Sequence, residues 1–333
     1  MIQLFQTEKK RIVEKSPEFG GGLNLKNKWI HLENPTDREI ELIERITGVN
    51  EDLLKAALDE DERARIEVDD GDTLVLFDIP TIEEEEDYFS YSTMPLGVVL
   101  TRNAIITVCL RENSVIHSLI AGRAKGLDTS KQYFFLYQLL YYTHVKYLQY
   151  LRQIDRSSQR IQTELHRATK NKELIQLLDL EKSLVYFSTS LRGNSVVIER
   201  VTKMGAKKLD EEAEELIEDV VVENRQAIDM CKNYQDILAS TMSTYASVIS
   251  NNQNSIMKTL TIMTVIISVP TLFASFWGMN TGVPFEGQSY GFWIVVAISV
   301  VVSSVVGYFI TRYNNYKNAG WKEIFSFKRK KKK

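Results

Sequence analysis

Between Lys258 and Arg312 the chain carries a single charged side chain, Glu286, which leaves charge-free runs of 27 residues (259–285) and 25 residues (287–311). A helix needs about 20 apolar residues to cross the hydrocarbon core of a bilayer, and a soluble core helix has no need of so many uncharged positions on every face. The second run contains GFWIVVAISVVVSSVVGYFI, Gly291 to Ile310, and is expected to span a membrane. The first, Leu260 to Gly278, is interrupted by Thr and Ser, as a span packed inside a helix bundle can be. About ten residues around MNTGVPFEGQ join them, so the two are expected to form a helical hairpin.

Bulk averages hide this segment. A formal net charge of −3 and 44% hydrophobic residues describe an ordinary soluble protein. From Arg312 onward, however, nine basic residues face one acid, a local charge of +8 that leaves −11 for everything before it. With Lys258 at one end of the hairpin and the basic tail at the other, the positive-inside rule puts both termini in the cytoplasm, with Gly278, Met279, Asn280 and Glu286 outside. The opening MIQLFQTEKKRIVEK has no apolar stretch of the length a secretory signal needs, consistent with a cytoplasmic start. The terminal FKRKKKK suits a solvated stop-transfer tail, and contact with anionic lipid headgroups is compatible with it. Cys109 and Cys231, far apart and without a nearby second thiol, favour a reducing compartment and no disulfide framework.

Upstream, Pro17, Pro35, Pro80 and Pro95 punctuate the first hundred residues, and the next proline is Pro270. Runs at 28–35, 64–80 and 96–110 are apolar or alternating and closed by Asn, Gly or Pro, as strands are. TDREIELIERITG and NEDLLKAALD start helices at Thr36 and Asn50, with acids in the first turn. The first ~128 residues therefore read as a mixed α/β domain. Apolar residues then recur with helical period from Gln132 to Arg167 and from Asn171 to Lys203, and a third segment runs from Leu209 into the membrane without a strong breaker. At 1.5 Å per residue that third helix is about 100 Å long and must pack against sister helices or other subunits. The aromatic stretch from Tyr133 to Tyr150 is expected to pack the first of these helices against the α/β domain.

Stepping alternately three and four residues from Asn254 gives Met257, Thr261, Thr264, Ser268, Thr271, Ser275 and Gly278, a face almost entirely small and hydroxylated. Small residues allow close helix approach; the same stripe can also line water. Two spanning helices in one subunit cannot enclose an aqueous path, so the second use requires an oligomer with one striped helix from each subunit around an axis. An ion on that path meets hydroxyls, carbonyls and amides, hard neutral ligands suited to Mg²⁺ or other hard cations, and Mg²⁺ can be held through its water shell.

At Gly278-Met279-Asn280, after a proline-containing span and before a short loop and a second span, the chain resembles the CorA family of divalent-cation channels. MKTLTIMTVIISVPTLFASFWGMN (257–280) keeps a Met-Lys-x-Leu-Thr start, the mid-helix proline and the terminal Gly-Met-Asn. KWIHLENPT (28–36) and VLTRNAIITV (99–108) are similar to family stretches upstream. Trp277 and Thr281 flank the motif where the family often has tyrosine and an aromatic, and Ser268 stands where other members can carry a bulky apolar residue.

The resemblance implies a homopentameric funnel. In it, a cytoplasmic α+β domain (1–128) and helices packed on the stalk (129–208) precede a long stalk helix continuing into the pore-lining span (209–278). An outer loop (279–290), a second span (291–311) and a basic cytoplasmic tail (312–333) complete it. Carried over by position, Asn254, Met257, Leu260, Thr264, Ser268 and Thr271 line the pore. Gly278, Met279 and Asn280 form the selectivity mouth, with Met257 and Leu260 as an apolar constriction. The resemblance also implies intracellular Mg²⁺ bound by carboxylates between subunits, here Asp219 with Asp70, and less directly Asp69 or Asp72. The bland reading of DEEAEELIEDV (210–220) and IEVDDGD (66–72) is solvated acidic surface.

The expected function is Mg²⁺ uptake through a multi-pass protein of the cell membrane. Its partners are copies of itself, the lipid bilayer and divalent cations, with no nucleic acid. Transport of Co²⁺, Ni²⁺ or Zn²⁺ by the same architecture is the alternative, and a membrane-anchored cation sensor is the reading from another class. No glycine-rich phosphate loop or catalytic pair is present, and His31, His117, His144 and His166 are scattered, so no enzyme is expected.

Overall fold

A computed structural model describes residues 1–9, 11–15, 24–84, 89–124, 126–167, 171–205, 210–280, 282–284 and 287–330, without the side chains of 166, 167, 171, 311 and 313–330. Pro17, Thr281, Glu286 and the His166 side chain lie outside the described residues. The chain divides into two compact units, Met1–Ser243 and Thr244–Lys333.

The first unit is built on a seven-stranded sheet. Its strands are β1 (Ile2–Glu8), β2 (Arg11–Lys15), β3 (Lys28–Glu33), β4 (Arg65–Asp69), β5 (Asp72–Glu84), β6 (Phe89–Leu100) and β7 (Ala104–Cys109), in the order β2-β1-β3-β7-β6-β5-β4. Only the β3–β7 pair is parallel. The runs at 64–80 and 96–110 each fold as parts of two strands rather than one. Asp70 and Gly71, both with positive φ, close a two-residue hairpin between the paired Asp69 and Asp72. Thr101 Oγ1 accepts from the Asn103 and Ala104 amides to make the other corner.

Helices cover both faces of the sheet, so its strands read as continuous apolar runs. Helix α1 (Asp37–Thr47) opens with a capping box between Thr36 and Glu39 and ends at Gly48 in the left-handed region. Together with α2 (Glu51–Lys55), capped by Asn50, and the 3₁₀ turn Ala56–Leu58, it packs over Leu74, Leu76, Val99, Ile106 and Val108. The approach is close at Gly97, where a Cβ would meet Ala57 Cβ at 2.8 Å.

Against the opposite face, which carries Trp29, Val75, Phe77 and Ile105, lie α3 (Ser114–Ile120), α4 (Gln132–Arg167), α5 (Asn171–Gly205) and the start of α6 (Glu211–Trp277). The aromatic stretch of α4 does pack here: Phe135 meets Trp29 edge-on at 5.0 Å, and Tyr147 donates to the Asp78 carbonyl at 3.2 Å. Asn194 on α5 is fully buried and bonds both the Asp78 amide and carbonyl, fastening helix to sheet. Ala213, Ile217 and Val220 extend this core onto α6.

The second unit holds the rest of α6 and α7 (Gly291–Lys330). α6, 67 residues in one helix, and Gly291–Ile310 are the two described segments long and apolar enough to cross a membrane. The α7 helix continues through Lys330, so the basic tail begins as helix. The covered positions of α7 include Ser299 and Ser303, and one turn further on Gly307, where a Cβ would lie 3.3 Å from Ile266 Cδ1 of α6. That small-xxx-small spacing lets two helices approach without a methyl between them.

Candidate functional site

The hydroxylated stripe and the helix-packing face of α6 lie on opposite sides. Ile262, Val265, Val269, Phe273 and Trp277 are partly covered and recur at three- and four-residue steps. At 100° per residue this face is turned about 160° from the mean direction of Met257, Leu260, Thr264, Ser268 and Thr271. Those five, with Asn254, are all exposed in the single chain, Met257 at 59% and Leu260 at 56%. The stripe therefore looks away from the partner span.

Its hydroxyls are oriented. Thr264 donates to the Leu260 carbonyl at 2.9 Å, Ser268 to Thr264 at 2.7 Å and Thr271 to Ile267 at 3.0 Å. Thr261 donates likewise to Met257 at 2.8 Å. A hydroxyl has one proton, so each proton committed to the backbone leaves oxygen lone pairs facing outward. The surface accepts hydrogen bonds and donates few, which matches the outward-pointing protons of a hydrated cation. Pro270 adds an acceptor within the helix, since it brings no amide proton to the Ile266 carbonyl.

The Gly-Met-Asn segment ends this helix. The Gly278 amide closes the last α-type bond to the Ala274 carbonyl at 3.0 Å, and Met279 bonds Phe276 at 3.4 Å in a tighter turn. Asn280 follows, exposed, beside the carbonyl end of a long helix, where the partial charge is negative.

The acidic positions belong to the first unit. Asp219 is exposed on α6, and together with Glu223 it lies close enough to Tyr141 of α4 to help burial raise that phenol above its usual range. Asp70 is exposed at the tip of the β4–β5 hairpin with φ 46°. Asp69 accepts from Asn50 at 3.2 Å. Burial lifts the Asp72 carboxyl above its usual range; Arg102 opposes the rise, while Asp69 and Asp70 add to it. Among the described residues no three His, Cys, Asp or Glu side chains come together as a metal site within one chain.

The described histidines are structural or superficial. Burial lowers His31 and His144 to about 4, His31 held by Thr107 and His144 by the Leu140 carbonyl. His117 lies 2.6 Å from Glu112 at the surface. Sequence reasoning missed the Ser299, Ser303 and Gly307 contact face, although its four-residue spacing is plain among the valines.

Comparison with known proteins agrees with this architecture. The CorA-like Mg2+ transporter protein family model matches residues 24–312. The cobalt/magnesium transport protein CorA of Methanocaldococcus jannaschii is 28% identical over 298 residues, 88% of this chain and 90% of that protein. The complete structure of the CorA magnesium transporter from the same organism superposes with TM-score 0.77 at 26% identity, covering 93% of this chain and 96% of that one. The full-length CmaX protein shares the fold, with TM-score 0.67 at 15% identity over 94% of this chain and 96% of that one. With a family match that runs from β3 through the second apolar helix, the chain belongs to the CorA-like Mg²⁺ transporter family, whose members move ions and are not enzymes.

Proposed function

We propose that the chain is a homopentameric Mg²⁺ channel of the cell membrane, with both termini in the cytoplasm and α6 lining the pore. The observation that carries this reading is the exposed face of α6 from Asn254 to Thr271, turned away from α7 and presenting backbone-anchored hydroxyl oxygens. Such a face is costly against lipid only in what it wastes, but it fits a water-filled path around a symmetry axis. Met257 and Leu260 form the apolar level of that path and close it by dewetting. At the other end, a ring of Asn280 amide oxygens beside converging helix carbonyl ends receives hydrated Mg²⁺. The names of the relatives support Mg²⁺ as cargo, with Co²⁺ as a second ion. Ni²⁺ and Zn²⁺ are the remaining alternatives.

The test is flux into liposomes containing the purified protein, with Mg²⁺, Co²⁺, Ni²⁺ and Zn²⁺ compared with and without a proton gradient. Mg²⁺ flux that follows membrane potential and ignores the proton gradient is expected. Proton-dependent Zn²⁺ flux without Mg²⁺ flux would overturn the assignment, and no flux of any ion would favour the sensor reading.

Regulation follows from the exposed acids. Asp219 of one subunit and Asp70 of its neighbour share an intracellular Mg²⁺ that relieves their mutual repulsion and holds the pore shut. When internal Mg²⁺ falls, repulsion loosens the ring. The double variant Asp219→Ala/Asp70→Ala is expected to conduct at internal Mg²⁺ concentrations that silence the wild type. Unchanged inhibition in patch recordings would remove these two residues from the sensor.

A further inference from the structure

A concave pocket of about 400 Å³ lies in the first unit between α3 and α4, remote in sequence from the pore stripe, and its charge is anomalous for this chain. Arg123 and Lys146 both line it. Among the described residues neither side chain pairs with an acid: Lys146 Nζ bonds Gln149 at 3.1 Å and sits 5.8 Å from the centre of the Tyr150 ring, and the Arg123 guanidinium makes no ion pair. Among the described residues one acid, Glu112, also lines the pocket; it lies 2.6 Å from His117 Nε2 and pairs with neither base. Everything before Arg312 carries eleven more acids than bases, so two bases converging without a carboxylate between them go against the local supply of charge.

The arrangement is also fixed in place. The turn presenting Arg123 is closed by hydrogen bonds from the Ala121, Gly122 and Arg123 amides to His117, Leu119 and Ser118. From the other side, the Tyr142 hydroxyl donates to the Arg123 carbonyl at 3.0 Å. Lys146 is half-buried on α4, and burial, with Arg123 adding to it, lowers its ammonium below the usual range. Ser114 and Ser118 hydroxyls complete the wall. Arg123 is exposed and Lys146 half-buried; their like charges repel across the pocket, and a bound anion removes that repulsion.

We propose that this pocket binds an organic phosphate, with the Arg123 fork and the Lys146 ammonium taking the phosphate oxygens. A planar guanidinium beside a point-charge ammonium suits a tetrahedral oxyanion. The volume belongs to small-molecule sites, which run about 300–1,000 Å³, and leaves room for more than the phosphate itself.

The experiment is calorimetric titration of the full-length protein in detergent, with chelator present so that no divalent cation bridges protein and phosphate. The probes are ADP, inorganic phosphate and micellar phosphatidylinositol 4-phosphate. ADP is expected to bind more tightly than inorganic phosphate, and Arg123→Gln and Lys146→Gln are each expected to weaken it at least about tenfold, the loss of one charge-assisted contact. Arg123 is exposed and Lys146 gives up only its contacts with Gln149 and the Tyr150 ring, so the thermal unfolding midpoint should stay within a few degrees of the wild type, and Lys131→Gln, a surface change at the Asp210 pair, should leave affinity unaltered. If the lipid binds and ADP does not, with the same dependence on Arg123 and Lys146, the phosphate comes from a headgroup. No saturable binding of any probe by about 1 mM, or affinity indifferent to both substitutions, would overturn the proposal.

Discussion

Asn280→Ala is expected to lower Mg²⁺ uptake by roughly 100-fold in liposomes, with subunit assembly unchanged. Removal of one preorganised dipole from a site that handles charge costs on the order of 10²–10³ in rate in enzymes, and in the proposed pentamer the substitution would remove five at once. The side chain is exposed immediately after the last helical turn, where it buries no apolar surface and holds up no core. Its loss should therefore be read in transport and not in stability. In the proposed mechanism the amide oxygen matters because it is neutral: it would bind the water shell of Mg²⁺ tightly enough for entry and weakly enough for release. Asn280→Asp should accordingly raise apparent affinity for divalent ions while slowing turnover, since five carboxylates retain what they attract. Wild-type flux through Asn280→Ala would remove the mouth from the mechanism.

The parts of this fold that were legible in the sequence are those set by local chemistry. Thr36 and Glu39 announce α1 because their capping bonds lie within one turn, and Asn50 does the same for α2. Strands were legible as apolar runs, but their ends were not, because both faces of the sheet are covered and alternation disappears. Leu74 and Leu76 enter one core while Val75 and Phe77 enter the other, so LVLF carries no visible period. The β1–β2 hairpin was missed because MIQLFQTEKKRIVEK is half polar: β2 is an edge strand with one neighbour, and β1, paired on both sides, buries only Leu4 and Phe5, one in each core. Gly193 falls within α5, where glycine's low helix propensity argues against it. It stays helical, and a Cβ there would come within 3.4 Å of Ala64, so its lack of a side chain serves packing of the helix toward the sheet.

The functional surfaces divide along the same line. The α6 stripe was legible because its residues share one helix and therefore one period. Asp219 and Asp70 were reached through family resemblance, and no periodicity links them. Arg123 and Lys146 stand on a turn and a helix, and nothing in their separation announces that they line one pocket; only the folded chain reveals two bases there that pair with no acid. Net charge misleads for a related reason. A value of −3 averages an acidic body and a basic end, and it hides both the nearly uncharged hairpin and a pocket lined by two unpaired bases within the acidic part.

Ser268→Lys is expected to abolish cation flux altogether while the protein still inserts and assembles, and it separates a pore face from a lipid face. Ser268 is exposed and lies about 120° around α6 from the mean direction of the partly covered face, so a longer side chain there points clear of α7. If the stripe faces an aqueous path, five ammonium groups converge on the axis. Two unit charges 4 Å apart interact by about 4 kcal/mol even at an effective dielectric of 20, and a divalent ion doubles the effect of each. A few such terms exceed what a hydrated ion recovers from hydroxyls, so conduction stops. If the stripe instead faced lipid, the ammonium would cost roughly 2.5–3.5 kcal/mol at mid-bilayer and reduce insertion, leaving normal flux per assembled molecule. Ser268→Ala supplies the size control: it removes one hydroxyl that is already bonded to the Thr264 carbonyl, and flux should fall only severalfold. Comparing the amount of assembled protein with its flux in these two variants therefore decides which medium the hydroxyl face meets.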